Sequence, residues 1–191
     1  CFMDQFGKVD LSIYDNSWYH PGRNVLVRLL WYLVNVMFFI NPLIPISGIK
    51  VFLLRLFGAR IGEGVVIKPA VNIKYPWNLV VGNHTWIGEK VWIDNLAPVT
   101  IGNHCCLSQG AMILNGNHDY RKHSFDLMVC PVILEDGVWI GARAMVTPGV
   151  ICKSHSVLGA MSMATGELEA YSVYQGVPAV KIRERSIKEA E

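Results

Sequence analysis

The chain has 191 residues, 52% of them apolar and 17% charged, with a formal net charge of +2. That length suits one domain with an appended element, and so small a charge argues against nucleic acid as a partner. Few charges with much apolar content fit a protein that covers its surface with other subunits or lies at a membrane.

The chain begins at Cys1 rather than Met, as expected of a trimmed N-terminus, and no signal peptide is predicted. Five cysteines, an odd number without Cys-x-x-Cys spacing, indicate a reducing, cytoplasmic setting. From Asn16 to Gly62 there is no acidic residue, while Arg23, Arg28, Lys50, Arg55 and Arg60 all fall there. Asn24 caps a predicted helix from Val25 toward Ile40, ended by Asn41-Pro42. Ser47 opens a second, closed by Gly58. Pro42 and Pro45 keep the apolar run short of the roughly 20 residues a bilayer span needs. The pair is expected to pack on the end or side of the repeat region that begins at Ile61. A sharper alternative is an interfacial helix whose Arg and Lys face anionic headgroups, a peripheral contact at the inner membrane face.

From Ile61 a six-residue period takes over: Ile61, Ile67, Ile73, Leu79, then Val81, Ile87, Ile93, then Ile101, Leu107, Ile113. It resumes at Leu134, Ile140, Val146, Cys152 and Leu158, with smaller residues four places on at Val138, Ala144, Val150, Ser156 and Ser162. Neither a helix nor an ordinary strand has that period. Short strands joined by turns do, each repeat sending one aliphatic and one small residue inward, which is a mainly β, hexapeptide parallel β-helix. The register shifts by two at Leu79–Val81 and at Val99–Ile101, and it fails between Asn115 and Pro131. The polar insert must leave the stack as a loop, where binding and catalysis tend to sit. The division is an N-terminal extension (1–60), a β-helix (61–165) with an inserted loop (115–131), and a C-terminal tail (166–191).

Several stretches resemble one family: Asp10-Leu11-Ser12-Ile13-Tyr14-Asp15-Asn16-Ser17, Tyr75-Pro76-Trp77-Asn78-Leu79, Trp86 to Leu96, Leu107 to Ala111, Gly116-Asn117-His118-Asp119-Tyr120 and Gly176-Val177-Pro178-Ala179. Together they resemble the hexapeptide-repeat O-acetyltransferases, nearest to the colanic acid biosynthesis branch. The resemblance implies a left-handed β-helix, a homotrimer with sites between subunits, and acetyl-CoA as co-substrate with no metal. The acceptor would be a sugar or a lipid-linked oligosaccharide of an exopolysaccharide precursor.

His118 opens the inserted loop and matches the family's catalytic histidine. Acetyl transfer to a hydroxyl needs a base that works near neutral pH, and imidazole as a class does so. Asp119, Asp126 or a backbone carbonyl could orient it. Direct attack needs no covalent nucleophile, so Ser108 and Cys106 read as structural. Asp94 and Asn95 align approximately with the family's acceptor-binding position, although an Asp-Asn pair equally forms turns; Asp15 is a further acceptor candidate. For CoA, Ala142, Ala160 and Thr165 match the family's pantetheine contacts. Gly166 stands where a lysine often does, and Lys181, Arg183 or Arg185 could replace it, Arg183 matching a family CoA-binding arginine. A rival reading gathers His84, His118 and His123 around zinc between subunits, as in γ-class carbonic anhydrases. A third is a non-catalytic β-helix scaffold.

Overall fold

The computed structural model describes residues 7–188, so Cys1 lies outside the described residues. Successive coils each give one strand to three parallel sheets. Sheet A holds Arg60–Ile61, Leu79–Val81, Val99–Ile101, Val132–Leu134 and Ile151–Cys152. Sheet B holds Val66–Ile67, Trp86–Ile87, Cys106–Leu107, Trp139–Ile140 and Val157–Leu158, and sheet C holds Asn72–Ile73, Trp92–Asp94, Met112–Leu114, Met145–Val146 and Met163–Ala164. The expected β-helix is therefore present. Both inward positions of each repeat are occupied as the period requires: Ile67, Ile87, Leu107 and Ile140 are fully buried, and so are Val71, Val91, Ala111 and Ala144. Thr85 can share the interior because its hydroxyl donates to Gly102 O at 2.8 Å and accepts from Cys105 N at 3.0 Å.

Stacked partners lie twenty residues apart in the first two steps (Val66 with Trp86, Trp86 with Cys106) and eighteen in a later one (Trp139 with Val157). Between them the step from Cys106 to Trp139 is thirty-three. Eighteen is three repeats, and every residue beyond it lies between sheet C and sheet A, in segments 74–78, 95–98 and 115–131. All three irregularities in the period thus stand above one another at one corner of the coil.

Helix α1 (Val25–Val34) starts at Asn24, whose side chain accepts from Val27 N at 3.0 Å, and runs on as a π-helical turn, Asn35–Ile40. Helix α2 is Ser47–Leu56. The first coil has no coil before it, and side chains of this block supply the bonds that a preceding coil would. Ser47 Oγ accepts from Ile67 N at 2.7 Å and donates to Ile67 O at 3.1 Å. Arg55 donates to Ile61 O and Gly62 O, and Trp31 Nε1 to Ile73 O at 2.9 Å. Lys50 is fully buried with its ammonium on Lys68 O at 2.8 Å, and desolvation holds it below the usual lysine range. Lys50 therefore cannot face headgroups, which corrects that part of the interfacial reading. No helix among the described residues is long and apolar enough to cross a membrane.

The C-terminal segment differs from a solvated tail. Ser172–Gly176 and Ala179–Glu184 form an antiparallel hairpin that extends sheet B through Val157–Val173 pairing, because Tyr174 and Leu168 have inward, buried sites to fill.

Candidate active site

The long insert is a β-hairpin whose strands, Gly116–His118 and Leu127–Val129, pair antiparallel at the C–A corner. His118 ends its first strand. The ring stacks on Phe125 with centroids 4.5 Å apart and planes 7° from parallel, and Tyr14 lies 5.7 Å away. His118 Nδ1 is 2.9 Å from the Phe125 carbonyl oxygen. A carbonyl only accepts, so Nδ1 carries a proton, and in the neutral tautomer Nε2 is the nitrogen with the lone pair.

Neither Asp119 nor Asp126 holds the imidazole. Asp119 accepts from Arg121 Nε and N, each at 3.1 Å, and Asp126 accepts from Lys122 Nζ at 2.7 Å and Ser124 Oγ at 2.6 Å. The Arg121 side chain holds the Asp119 carboxyl below the usual range, and Lys122 does the same to Asp126. These pairs shape the hairpin tip, and a backbone carbonyl orients the histidine.

His118 faces a cleft of about 440 Å³ that each irregular segment of the corner helps to wall, through Lys74 and Tyr75, Leu96, and Leu127. The N-terminal segment closes it with Tyr14, Asn16, Tyr19 and Arg28. Tyr19 is pinned by its hydroxyl, which donates to Leu96 O at 2.7 Å, and burial raises its pKa. Trp77 Nε1 donates to Pro21 O at 2.6 Å, fastening the same segment to the corner.

The three acceptor-side candidates do not line this cleft. Asn95 is fully buried: its oxygen accepts from Tyr75 N at 2.9 Å and its amide donates to Tyr75 O at 2.6 Å, so it staples two coils together. Asp15 accepts from Ser17 N at 2.8 Å and caps a turn beside the rim. Asp94 pairs with Lys74, its Oδ1 3.0 Å from Nζ, and lines the neighbouring groove between α1 and sheet C instead. The residues that do line the cleft give weaker signals: Tyr14, Asn16 and Tyr75 sit in stretches that carry the resemblance without an assigned role, whereas Arg28 belongs only to the basic N-terminal segment.

A second groove, about 770 Å³, runs along sheet B and its corner with sheet C. Ala142, Ala160 and Arg183 line it together, with Trp139, Ser108 and Gln175 opposite or beside them. Gly141 and Gly159 keep the coils in close register here; a Cβ on Gly141 would sit 2.5 Å from Ala160 N. Among the described residues neither the Ala142 nor the Ala160 N–H meets an acceptor in the chain, so both can receive an amide carbonyl of a pantetheine-like arm. Arg183 has no ion-pair partner among the described residues, unlike Lys181, which bridges Glu169 and Glu184 at 2.7 Å each. Arg185 is spent on Gly137 O and His155 O. Thr165 is exposed and lies outside the groove. The Ser108 hydroxyl accepts from Trp139 Nε1 at 2.9 Å and Cys106 is half-buried with its thiol pushed up by desolvation, neither poised as a nucleophile.

Within one chain the three histidines of the zinc reading stand apart. His84 stands at the A–B corner in left-handed geometry, its ring stacked on His104 at 5.3 Å, while His118 is at the C–A corner and His123 abuts Lys8 O. Among the described residues no three His, Cys, Asp or Glu side chains are grouped as metal ligands.

No protein-family model matches the chain. It is 37% identical over 167 residues to the putative colanic acid biosynthesis acetyltransferase WcaF of Escherichia coli (strain K12), covering 87% of this chain and 91% of that protein. Its fold superposes on the hexapeptide-repeat-containing acetyltransferase of Vibrio cholerae with a TM-score of 0.77 at 21% identity, over 95% of this chain and 97% of that one. A Vibrio cholerae O1 biovar eltor structure of such an enzyme, complexed with acetyl-coenzyme A, gives 0.75 at 23% identity, over 85% and 88%.

Proposed function

The chain belongs to the hexapeptide-repeat acetyltransferases, and from that membership we propose that it transfers acetyl from acetyl-CoA to a sugar hydroxyl of an exopolysaccharide precursor, with His118 as general base. The observation that supports the base role is the Phe125 carbonyl on Nδ1, which in the neutral ring makes Nε2 the free acceptor of a histidine that lines a polar, aromatic cleft. An acceptor hydroxyl gives its proton to Nε2 as its oxygen attacks the thioester carbonyl carbon. The tetrahedral intermediate then collapses, the C–S bond breaks, and the imidazolium returns the proton to the departing CoA sulfur. No covalent enzyme intermediate is needed. The sugar has Tyr14 and Tyr75 as faces to pack on and Asn16 as a hydrogen-bonding group.

CoA is assigned to the sheet B groove, with its amide carbonyls on Ala142 and Ala160 N–H and a phosphate on Arg183. Within one chain that groove and His118 lie on different corners of the coil and share no lining residue. The reading therefore includes a homotrimer, in which His118 of one subunit meets the groove of its neighbour.

Acetyl-CoA turnover against a panel of free, nucleotide-linked and lipid-linked sugars tests the assignment. His118→Ala should slow transfer by about 10²- to 10⁴-fold while CoA affinity stays as in wild type. Undiminished transfer by the variant would remove His118 as the base, and no transfer by wild type to any acceptor would count against the enzyme reading.

A further inference from the structure

Between Val25 and Leu56, fourteen large apolar side chains are exposed, against seven in the whole of segment 61–165. Along α1 and the π-helical turn after it they are ordered: Leu26, Leu30, Leu33 and Met37 recur at helical spacing on the side away from the groove formed with sheet C. The turn beyond the helix carries Leu43, 81% exposed, and α2 presents Phe52 and Leu56 one turn apart. So dense a face on a soluble coil marks an interaction surface.

Charge says what kind. No acidic residue occurs between Asn16 and Gly62, and the exposed Arg23 and Arg60 have no ion-pair partner among the described residues. Arg23 and Arg28 flank the start of α1, whose first turn has no acidic residue, the reverse of what a helix N-terminus favours for its own stability. Apposing this face of one copy to the same face of another would bring like charges together. An anionic bilayer supplies the missing charge and takes up the leucines, and helices too short to cross it would lie in its surface.

We propose that the outer face of the N-terminal helical block docks on an anionic membrane surface. The position has a consequence for the site. The apolar groove between α1 and sheet C, lined by Val25, Leu29, Tyr32 and Trp92, shares Arg28, Lys74 and Tyr75 with the His118 cleft. Docking would thus hold the two connected clefts one helix thickness from the bilayer, on the side of α1 turned away from it. The docking itself stands apart from the chemistry assigned to His118.

Flotation of the full chain with phosphatidylglycerol–phosphatidylethanolamine vesicles, beside pure phosphatidylcholine vesicles, tests this. Wild type should float with the anionic vesicles, less so at high salt, and far less with phosphatidylcholine. The double variant Leu26→Glu/Leu30→Glu should lose at least about tenfold in bound fraction, since each leucine buries apolar surface worth more than that. CoA affinity, measured on the same preparations, should be unchanged and serves as the control for folding. Wild type that binds CoA but stays off anionic vesicles overturns the docking and leaves the acetyltransferase reading standing. Equal flotation of the variant, or a change in its sedimenting mass, overturns the assignment of this face, the latter in favour of a contact between copies.

Discussion

The solenoid and the helical block in front of it satisfy the same two demands, burying apolar side chains and pairing backbone groups, by opposite means. In the solenoid each coil pairs its strands with the next, and one inward aliphatic is much like another: Ile67, Ile87, Leu107 and Ile140 stack at equivalent positions of sheet B. In the helical block a handful of polar side chains does the pairing, each with its own strand end, and much of the apolar surface stays outside. Repetition spreads stability over many similar contacts. The block concentrates it in a few dissimilar ones and frees its outer surface for another purpose.

Four substitutions would break or sharpen that contrast. Ile140→Ala removes a fully buried side chain flanked by coils on both sides and should cost about 2–5 kcal/mol, read as a lower midpoint in denaturant. A cost below about 1 kcal/mol would mean that the coils relax around cavities more freely than close packing implies. Arg183→Ala leaves the core alone but takes the free cation from the groove. Its expected signature is an unchanged midpoint with KM for acetyl-CoA raised roughly 10- to 100-fold, the size of a hydrogen bond to a charged group. Ser47→Ala opens one strand end of the first coil. About 1 kcal/mol is expected, together with faster hydrogen exchange at the Ile67 amide while amides of later coils keep their protection. If exchange rose equally in every coil, the block would be part of one cooperative unit with the solenoid.

The smallest effect concerns Asp136, which accepts from the backbone N–H and the side-chain amide of Asn103, and these bonds hold its carboxyl below the ordinary range. A folded pKa below the unfolded one gives stability that is present above the unfolded value and lost as pH falls through the folded one. Asp136→Asn keeps the acceptor, as Asn103 and Asn83 show one and two coils earlier in the same ladder. The variant should be less stable at neutral pH by under about 1 kcal/mol, because the site is exposed, and the difference should close in acid as the wild-type carboxyl protonates. A gap that persisted at low pH would point to a steric rather than an ionic origin.

The coil architecture was legible in the sequence because its signal is a period, and buried aliphatics such as Ile73, Ile93 and Ile113 must hold phase to stack. The breaks in that period were legible too, and Asp94-Asn95 could be placed at a corner one coil before His118, but not that all three breaks share that corner. Only the register, with its steps of twenty and thirty-three, puts Tyr75, Leu96 and His118 above one another. Asn95 shows the limit of reading a site from residue type. An asparagine whose amide is consumed by Tyr75 and one that binds a sugar look alike in a string of letters, because hydrogen-bond partners twenty residues away decide the difference. The same holds for Lys50, counted with the surface cations until its carbonyl partner is seen, and for the charged C-terminal stretch. There Leu168 and Tyr174 fill inward sites and draw Lys181 and Arg183 into an added strand.

The side-chain plug at the first coil has its counterpart at the other end, where the hairpin of Ser172–Gly176 and Ala179–Glu184 folds back on sheet B. A stack of parallel coils has no intrinsic length. Left open, its terminal strands would accept a further coil from any chain, and assembly could continue as a fibre. Ser47, Arg55 and Trp31 at one end and the returning strand at the other give the stack a first and a last member. Coils could be inserted or lost between those two without creating a new sticky edge. The termini, not the repeat, keep this molecule finite.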